Sequence, residues 1–415
     1  MSFLKLRKHR RFIVIFLTSL LVFTFINDGY AGTIDMFDYE DEYPSRSLQE
    51  SRIEIFSISI PQLGGRQRNI QVYLPPDYDS SDKSYPVFYL TAGQYLFNPP
   101  LNAVGDYNVD EKLDQLFFEG SIEGVIVVGI EIDYEHDWDE DSPWVNEDMR
   151  DWVSASASDS TAGGESFAFL DFIVNSLKPE IDSRYRTLTN RENTAIGGFC
   201  KNGLLPVVAG IKYPSVFSMV MSMSPAVWFA EGGGRWLSNN RLIHYIMNNP
   251  VPENVKFYID IGSEESSGNR PSVRDQDGKR LTYPRAYVEG AEAVVSALNE
   301  KGLPDSNIFF RIIEGSTGTR DERAENLDDV FLWFFSKESP ETSLSTLETA
   351  VPESPTTEND LPMEEDPPAS GNLVQNEIIE DPVEAEELNI TFAIILGSAL
   401  VFCFIAAIYL IFRRR

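Results

Sequence analysis

Apolar and polar residues change rhythm several times between Ser51 and Phe335, and the rhythm there is that of alternating strands and helices. Ile70-Gln71-Val72-Tyr73-Leu74 alternates with a period of two, as a strand with one covered face should. Val87-Phe88-Tyr89-Leu90 and Val125 to Ile132 are continuous apolar runs of strand length, the pattern of strands buried on both faces. Thr194 to Gly197, Val220 to Met223, Val255 to Ile261 and Ile308 to Ile313 read as further strands. Between them Phe167 to Leu177 has helical spacing, and Tyr287 to Lys301 gathers Val288, Val294, Val295 and Leu298 on one side of a helix. A last helix carries Leu327, Val330, Leu332, Trp333 and Phe334. Strands alternating with helices predict an α/β fold, a mostly parallel central sheet with helices on both faces.

The ends follow other rules. Basic residues from Lys5 to Arg11 precede an apolar stretch, Phe12 to Ile26, and small residues Gly29 and Ala31 follow. This predicts a secretory signal over 1–31, either cleaved after Ala31 or retained as an anchor. Residues 32–50, centred on Asp38-Tyr39-Glu40-Asp41-Glu42, are an acidic arm. The domain is expected over 51–336. An acidic stalk over 337–389 follows; from Glu338 to Asn389 it has fifteen acidic residues and no Arg or Lys. Prolines and like-charge repulsion favour an extended chain there. Ile390 to Phe412 is apolar throughout. As a helix it would be about 34 Å long, enough to cross a bilayer. Arg413-Arg414-Arg415 then predicts a cytoplasmic tail of 413–415, with domain and stalk outside: a single-pass cell-membrane protein. A sorting signal has the same outline, so the helix is either a permanent anchor or a processed one.

The net charge of −31 excludes the basic footprint that nucleic acid requires. Contact with a membrane is expected only through the C-terminal helix. The two cysteines, Cys200 and Cys403, fall in different regions and offer neither a disulfide framework nor a cysteine zinc site. Three histidines, His9, His136 and His244, are too few for a His-rich metal site, and no cofactor motif is evident. Acidic residues from Asp133 to Asp141 have the oxygens a calcium ion would want, without EF-hand spacing; plain solvation is the other reading.

A series of landmarks carries a resemblance. Val72-Tyr73-Leu74-Pro75-Pro76-Asp77-Tyr78 and Tyr85-Pro86-Val87-Phe88-Tyr89-Leu90 come first, then Thr91-Ala92-Gly93-Gln94-Tyr95-Leu96-Phe97 and Ile122 to Ile130. Phe169-Leu170-Asp171-Phe172, Leu177 to Arg186, Tyr213-Pro214-Ser215-Val216-Phe217 and Ser224-Pro225-Ala226 follow in order. Together they resemble the esterase D branch of the α/β-hydrolases, which includes enterochelin esterases, feruloyl esterases and mycolyltransferases. The resemblance implies an α/β-hydrolase fold over nearly all of Arg52 to Phe335. It also implies a nucleophile elbow, Gly-x-Ser-x-Gly, after the strand at Thr194.

Here the elbow reads Gly198-Phe199-Cys200-Lys201-Asn202-Gly203. The nucleophile position is Cys200, and Asn202 replaces the second Gly; Asn tolerates left-handed backbone, so the turn is expected to survive. By resemblance the oxyanion donors are backbone amides at Lys201, whose side chain should point away, and in the turn at Gln94. The acid position is Glu265 or Glu264, in Gly262-Ser263-Glu264-Glu265; Glu289-Gly290 resembles the mycolyltransferase alternative. The family's histidine falls at Gly318, and no histidine follows His244. His136 lies in a loop at the active-site end of the sheet; His244 belongs to an excursion helix. The expectation is a surface-displayed hydrolase domain without catalysis, used to bind a small-molecule, glycan or protein ligand. The alternative is an active ester hydrolase or acyltransferase with Cys200 as nucleophile, as in dienelactone hydrolases.

Overall fold

The computed structural model describes residues 51–97, 107–155, 157, 159–230, 237, 240–265, 273–274 and 277–337. Contacts divide the chain into Met1–Pro352 and Glu353–Arg415, and the described residues all lie in the first unit. The expected signal, arm, membrane span and tail lie outside them, as does the stalk from 338 onward. No helix among the described residues is long and apolar enough to cross a membrane.

Eight strands form one sheet in the order β1-β2-β4-β3-β5-β6-β7-β8. β1 (Arg52–Ile60) and β2 (Arg66–Leu74) are an antiparallel hairpin, and β2 runs antiparallel to β4 (Ile126–Ile130). From β4 onward all pairs are parallel: β3 (Val87–Thr91), β5 (Thr194–Phe199), β6 (Met219–Met223), β7 (Lys256–Gly262) and β8 (Ile308–Ile313). β3, β4, β5 and β6 are buried at every position, which is why their sequences are largely apolar, with only Thr91, Thr194 and Ser222 polar.

Because successive strand residues face opposite ways, the core divides in two across the sheet. One layer holds Val72, Tyr89, Val128, Ile196, Val220 and Ile259. It packs against a helix spanning 166–184, α4 and α5 (named below) and α6 (Tyr283–Glu300). The other holds Tyr73, Phe88, Val127, Ala195, Met221 and Tyr258. It is covered by α1 (Val109–Phe118), α7 (Arg320–Glu325) and α8 (Leu327–Phe335). α2 is the short helix Asp137–Asp141, α3 the helix within 166–184, α4 Leu204–Lys212 and α5 Arg241–Asn248. α4 follows the elbow directly, and every residue from Leu204 to Ile211 is buried. α3 loosens into a π turn at Ile173–Leu177. Pro179 lies just beyond and has no N–H to close a regular turn.

The acidic loop departs from the sequence expectation. Asp137, Asp139, Glu140 and Asp141 are buried, not solvated. Each has a protein partner. Arg68 of β2 forks onto Glu140 with two 2.7 Å hydrogen bonds. Asp139 accepts from the Ser160 hydroxyl and from the Thr161 and Gly163 amides. Asp137 pairs with Lys201, and Asp141 accepts from Asn202. The oxygens a calcium ion would gather are therefore directed at separate protein partners. His136, Asp139 and Glu165 do bring ligand atoms within 4.8 Å of one another. Glu165, however, is held by both terminal nitrogens of Arg66, at 2.6 and 2.8 Å.

A buried ion pair is costly to break from one side, because the surviving charge stays desolvated. Arg68→Ala should therefore cost about 3–5 kcal/mol of unfolding free energy. Arg68→Met with Glu140→Leu should recover most of it. Urea titration of the protein checks both; an Arg68→Ala loss under about 1 kcal/mol would count against the pair as an anchor.

Candidate active site

β5 ends at Phe199, and the chain turns sharply into a 3-10 turn, Cys200–Gly203, before α4. The turn is a nucleophile elbow by its backbone. Cys200 has φ +53°, left-handed and strained for a residue with a Cβ. The left-handed residue is thus Cys200 itself, not Asn202, whose φ is not positive. Gly198 is obligatory here: a Cβ on it would overlap the Asn202 carbonyl. The side chain of Asn202 is spent on Asp141, where burial pushes the carboxyl well above the usual range although the Asn202 hydrogen bond opposes this.

Cys200 lies on the wall of a cavity of about 350 Å³. Five aromatic residues, Tyr95, Tyr107, Tyr134, Trp138 and Phe199, share its lining with the charged Asp137, Lys201 and Arg320. Phe199, the bulky residue before the cysteine, stacks on Tyr107 with centroids 4.1 Å apart. Lys201 also lines the cavity, its ammonium held by Asp137 and 4.9 Å from the Trp138 ring centre. This corrects the expectation that its side chain points away. Gln94 sits in the turn after β3, where its side-chain oxygen accepts from the Ile132 amide at 3.0 Å. Its neighbours Ala92 and Tyr95, rather than Gln94, are on the cavity wall. Tyr95 and Tyr134 share a 2.7 Å hydrogen bond at the mouth, and burial together with that bond pushes Tyr95 up to about 12.

The rest of a triad would stand behind Cys200, and other residues stand there. The Cys200 thiol meets the Tyr287 hydroxyl of α6 at 3.4 Å. Glu265 is buried after β7, whereas Glu264 is exposed. The Glu265 carboxylate lies directly against Gly318: a Cβ built there would fall inside it. Gly318 has φ +68°, so a side chain would be strained even without that overlap. Glu265 pairs instead with Arg323 of α7 at 3.4 Å. Burial pushes the Tyr107 phenol up, and the positive charges of Arg323 and Arg320 oppose this. Burial works against the charge of Arg323, but Cys200, Tyr107, Glu265 and Tyr287 outweigh that and raise its pKa. Glu289 is elsewhere, paired with Arg285 on its own helix.

The loop that carries Gly318 is held by one carboxylate. Glu322 accepts from the backbone of Thr319 and Thr317, which lowers it to about 2, and it closes a capping box with Thr319 at the start of α7. That fixes Arg323, one residue further on. Neither described histidine takes part. His136 Nδ1 is 3.2 Å from Asp139 and is not on the cavity wall; His244 is exposed on α5. Arg323 and Tyr287 have no motif to announce them in sequence. Their only signal is position, Arg323 being one helical turn past Thr319.

An elbow at the carboxyl end of β5, within a parallel sheet continued by an antiparallel hairpin, defines an α/β-hydrolase-like protein. A sequence model described as "Putative esterase" matches residues 61–285. The chain belongs to that family. It is 24% identical over 272 residues, 65% of this chain and 93% of the other, to the uncharacterized protein YbbA of Bacillus subtilis (strain 168). Among solved structures it is similar in fold to an IroE-like serine hydrolase from Shewanella oneidensis. The TM-score there is 0.51 at 18% identity, over 72% of this chain and 87% of that one. The BES protein from Bacillus cereus gives a TM-score of 0.49 at 17% identity, over 69% and 96%.

Two outcomes test this geometry. Gly318→His should lower stability, by roughly 1–3 kcal/mol for the backbone strain alone. Combined with Cys200→Ser it should still yield no esterase, because Glu265 occupies the entry point of the imidazole. Activity in that double variant would contradict the overlap.

The second concerns Asp260, buried on β7 near Glu265 and Arg323, with Tyr258 and Arg311 at 3.2 and 4.0 Å. Burial pushes its carboxyl up to about 7. The native protein therefore keeps a proton that the unfolded chain releases, and the group's stability contribution is lost as pH rises from the ordinary carboxylate range through about 7. Asp260→Asn should gain stability over wild type at pH 8, with the gain shrinking toward pH 4. Thermal melts across that window check the sign; a gain larger at pH 4 would reverse it.

Proposed function

We propose that this chain is a surface-anchored esterase-family domain that binds a ligand in its cavity and does not turn over esters. The observation that carries this reading is the Glu265–Arg323 pair closed against Gly318. Ester hydrolysis on this fold needs a base within hydrogen-bond reach of the nucleophile to take its proton and return it to the leaving group. At Cys200 the nearest described polar partner is a phenol, Tyr287. The acid position holds an arginine rather than orienting an imidazole. The cavity of about 350 Å³, partly lined by aromatic side chains, is of a size that supports a small molecule over a protein as ligand.

Display at the cell surface rests on the signal-like leader, the acidic stalk and the terminal apolar run with its arginines. Protease added to intact cells should release the domain by cutting between Glu338 and Leu388. Release only after lysis would refute that orientation.

The left-handed elbow favours a second reading, a hydrolase with Cys200 as nucleophile. One assay separates the two. With short-chain p-nitrophenyl esters, whose leaving groups need no acid, wild type and Cys200→Ala should show the same steady-state rate, equal to background. General acid–base catalysis contributes typically about 10²–10⁴-fold, and its loss should leave no sustained turnover. Continuous turnover in wild type that vanishes in Cys200→Ala would establish the second reading.

A further inference from the structure

We infer that the cavity takes a small organic monoanion, a carboxylate carried on a flat apolar body, and that Arg320 recognises its charge. This rests on the reading above that the cavity holds a small-molecule ligand.

Aromatic walls by themselves suit a cation, because the face of a ring is its negative side. Here the chain's own cations already take those faces. The Lys201 ammonium lies 4.9 Å from the centre of the Trp138 ring. The Arg320 guanidinium carbon lies 3.9 Å from the centre of the Tyr95 ring and 6.0 Å from that of Tyr107. A ligand cation would meet like charges at the faces it needs, and like charges set side by side are costly.

The balance of charge points the same way. Over the whole chain 65 acidic residues outnumber 34 basic ones. Among the described residues of the cavity wall the order is reversed: Lys201 and Arg320 stand against Asp137. Asp137 is paired with Lys201, so the acid on the wall is spent on one of the two cations. Arg320 is the first residue of α7, set in place by the Thr319 cap. A cation in the first turn works against the helix dipole, so the helix itself gives no reason for it. Stacking uses the face of a guanidinium and leaves its N–H donors in the plane of the group, the fork that matches the two oxygens of a carboxylate.

One excess positive charge fits a carboxylate better than a phosphate monoester, which carries about −1.5 to −2 at neutral pH. In a chain of net charge −31 the second negative charge would be opposed by Asp137 and by the field of the whole protein. Ala92, Ile132 and the stacked pair of Tyr107 and Phe199 supply the apolar wall for the rest of the ligand.

The test is isothermal calorimetry on the full chain with four probes of one shape: beta-naphthoate, its neutral amide, naphthylmethylammonium and naphthyl phosphate. Naphthoate should bind about tenfold or more tighter than the amide, as for a hydrogen bond between charged groups. Arg320→Gln should erase that preference and leave the affinity for the amide unchanged, which also shows that the variant is folded. Arg320→Lys should keep part of the preference, since the charge remains and the fork is lost. An amide that binds wild type as well as naphthoate does, or a preference that survives in Arg320→Gln, overturns the proposal and leaves the ligand cavity standing. Tighter binding of the ammonium or of the phosphate than of naphthoate overturns it as well. If none of the four binds, the ligand-cavity reading falls, and this proposal with it.

Discussion

The carboxylate of Glu265 and any side chain at position 318 compete for the same space, and in this protein the carboxylate holds it. Much of the site follows from that exclusion. With glycine at 318 the loop after β8 can come close enough for Glu265 to lie against its backbone. The buried carboxylate then requires a cation, since an unpaired buried charge is far costlier than a paired one. Arg323 meets that requirement at 3.4 Å from the first turn of α7. The capping box of Thr319 and Glu322 keeps that turn in place. The acid position after β7 is thus held in a buried ion pair.

The opposite side of the cavity is fixed by a second set of buried charges. α2 holds Asp137 and Asp141 against Lys201 and Asn202 of the elbow, while Glu140 ties the same helix to Arg68 in β2. The elbow is therefore braced from two elements outside its own strand. Part of the chain's large negative charge is drawn inward and used as mortar. This accounts for a composition that would otherwise read as surface acidity alone.

Most of the architecture was legible because parallel strands covered on both faces are apolar at most positions, with few exceptions such as Thr194, Ser222 and Asp260. β3, β5, β6, β7 and β8 fall within a residue or two of the runs seen in sequence. β1 was not anticipated: it is an edge strand, with Arg52 exposed and residues such as Glu54 and Ser57 only partly shielded or exposed, so its alternation is shallow. α1 and α4 were missed as well, α4 because a helix buried on all sides lacks an amphipathic period. At the site, the elbow at Cys200, the turn after β7 with Glu264 and Glu265, and the loop with Gly318 could be located by their order along the chain. What surrounds them could not. Tyr287 lies 87 residues from Cys200 in sequence, and only the packing of α6 onto the sheet brings the two together. The acidic loop misled for a related reason: burial of Asp137, Asp139, Glu140 and Asp141 depends on partners in β2, the elbow and residues 160–163 that no local pattern encodes.

Glu265 and Arg323 form one buried ion pair at 3.4 Å. A double-mutant cycle measures it directly, using Glu265→Gln, Arg323→Met and their combination in urea unfolding of the protein. Groups that depend on one another in a buried pair show coupling on the order of 0.5–3 kcal/mol. The account predicts a favourable coupling in the upper part of that range, with the double variant no less stable than either single one. Additive losses, with coupling inside experimental error, would contradict it.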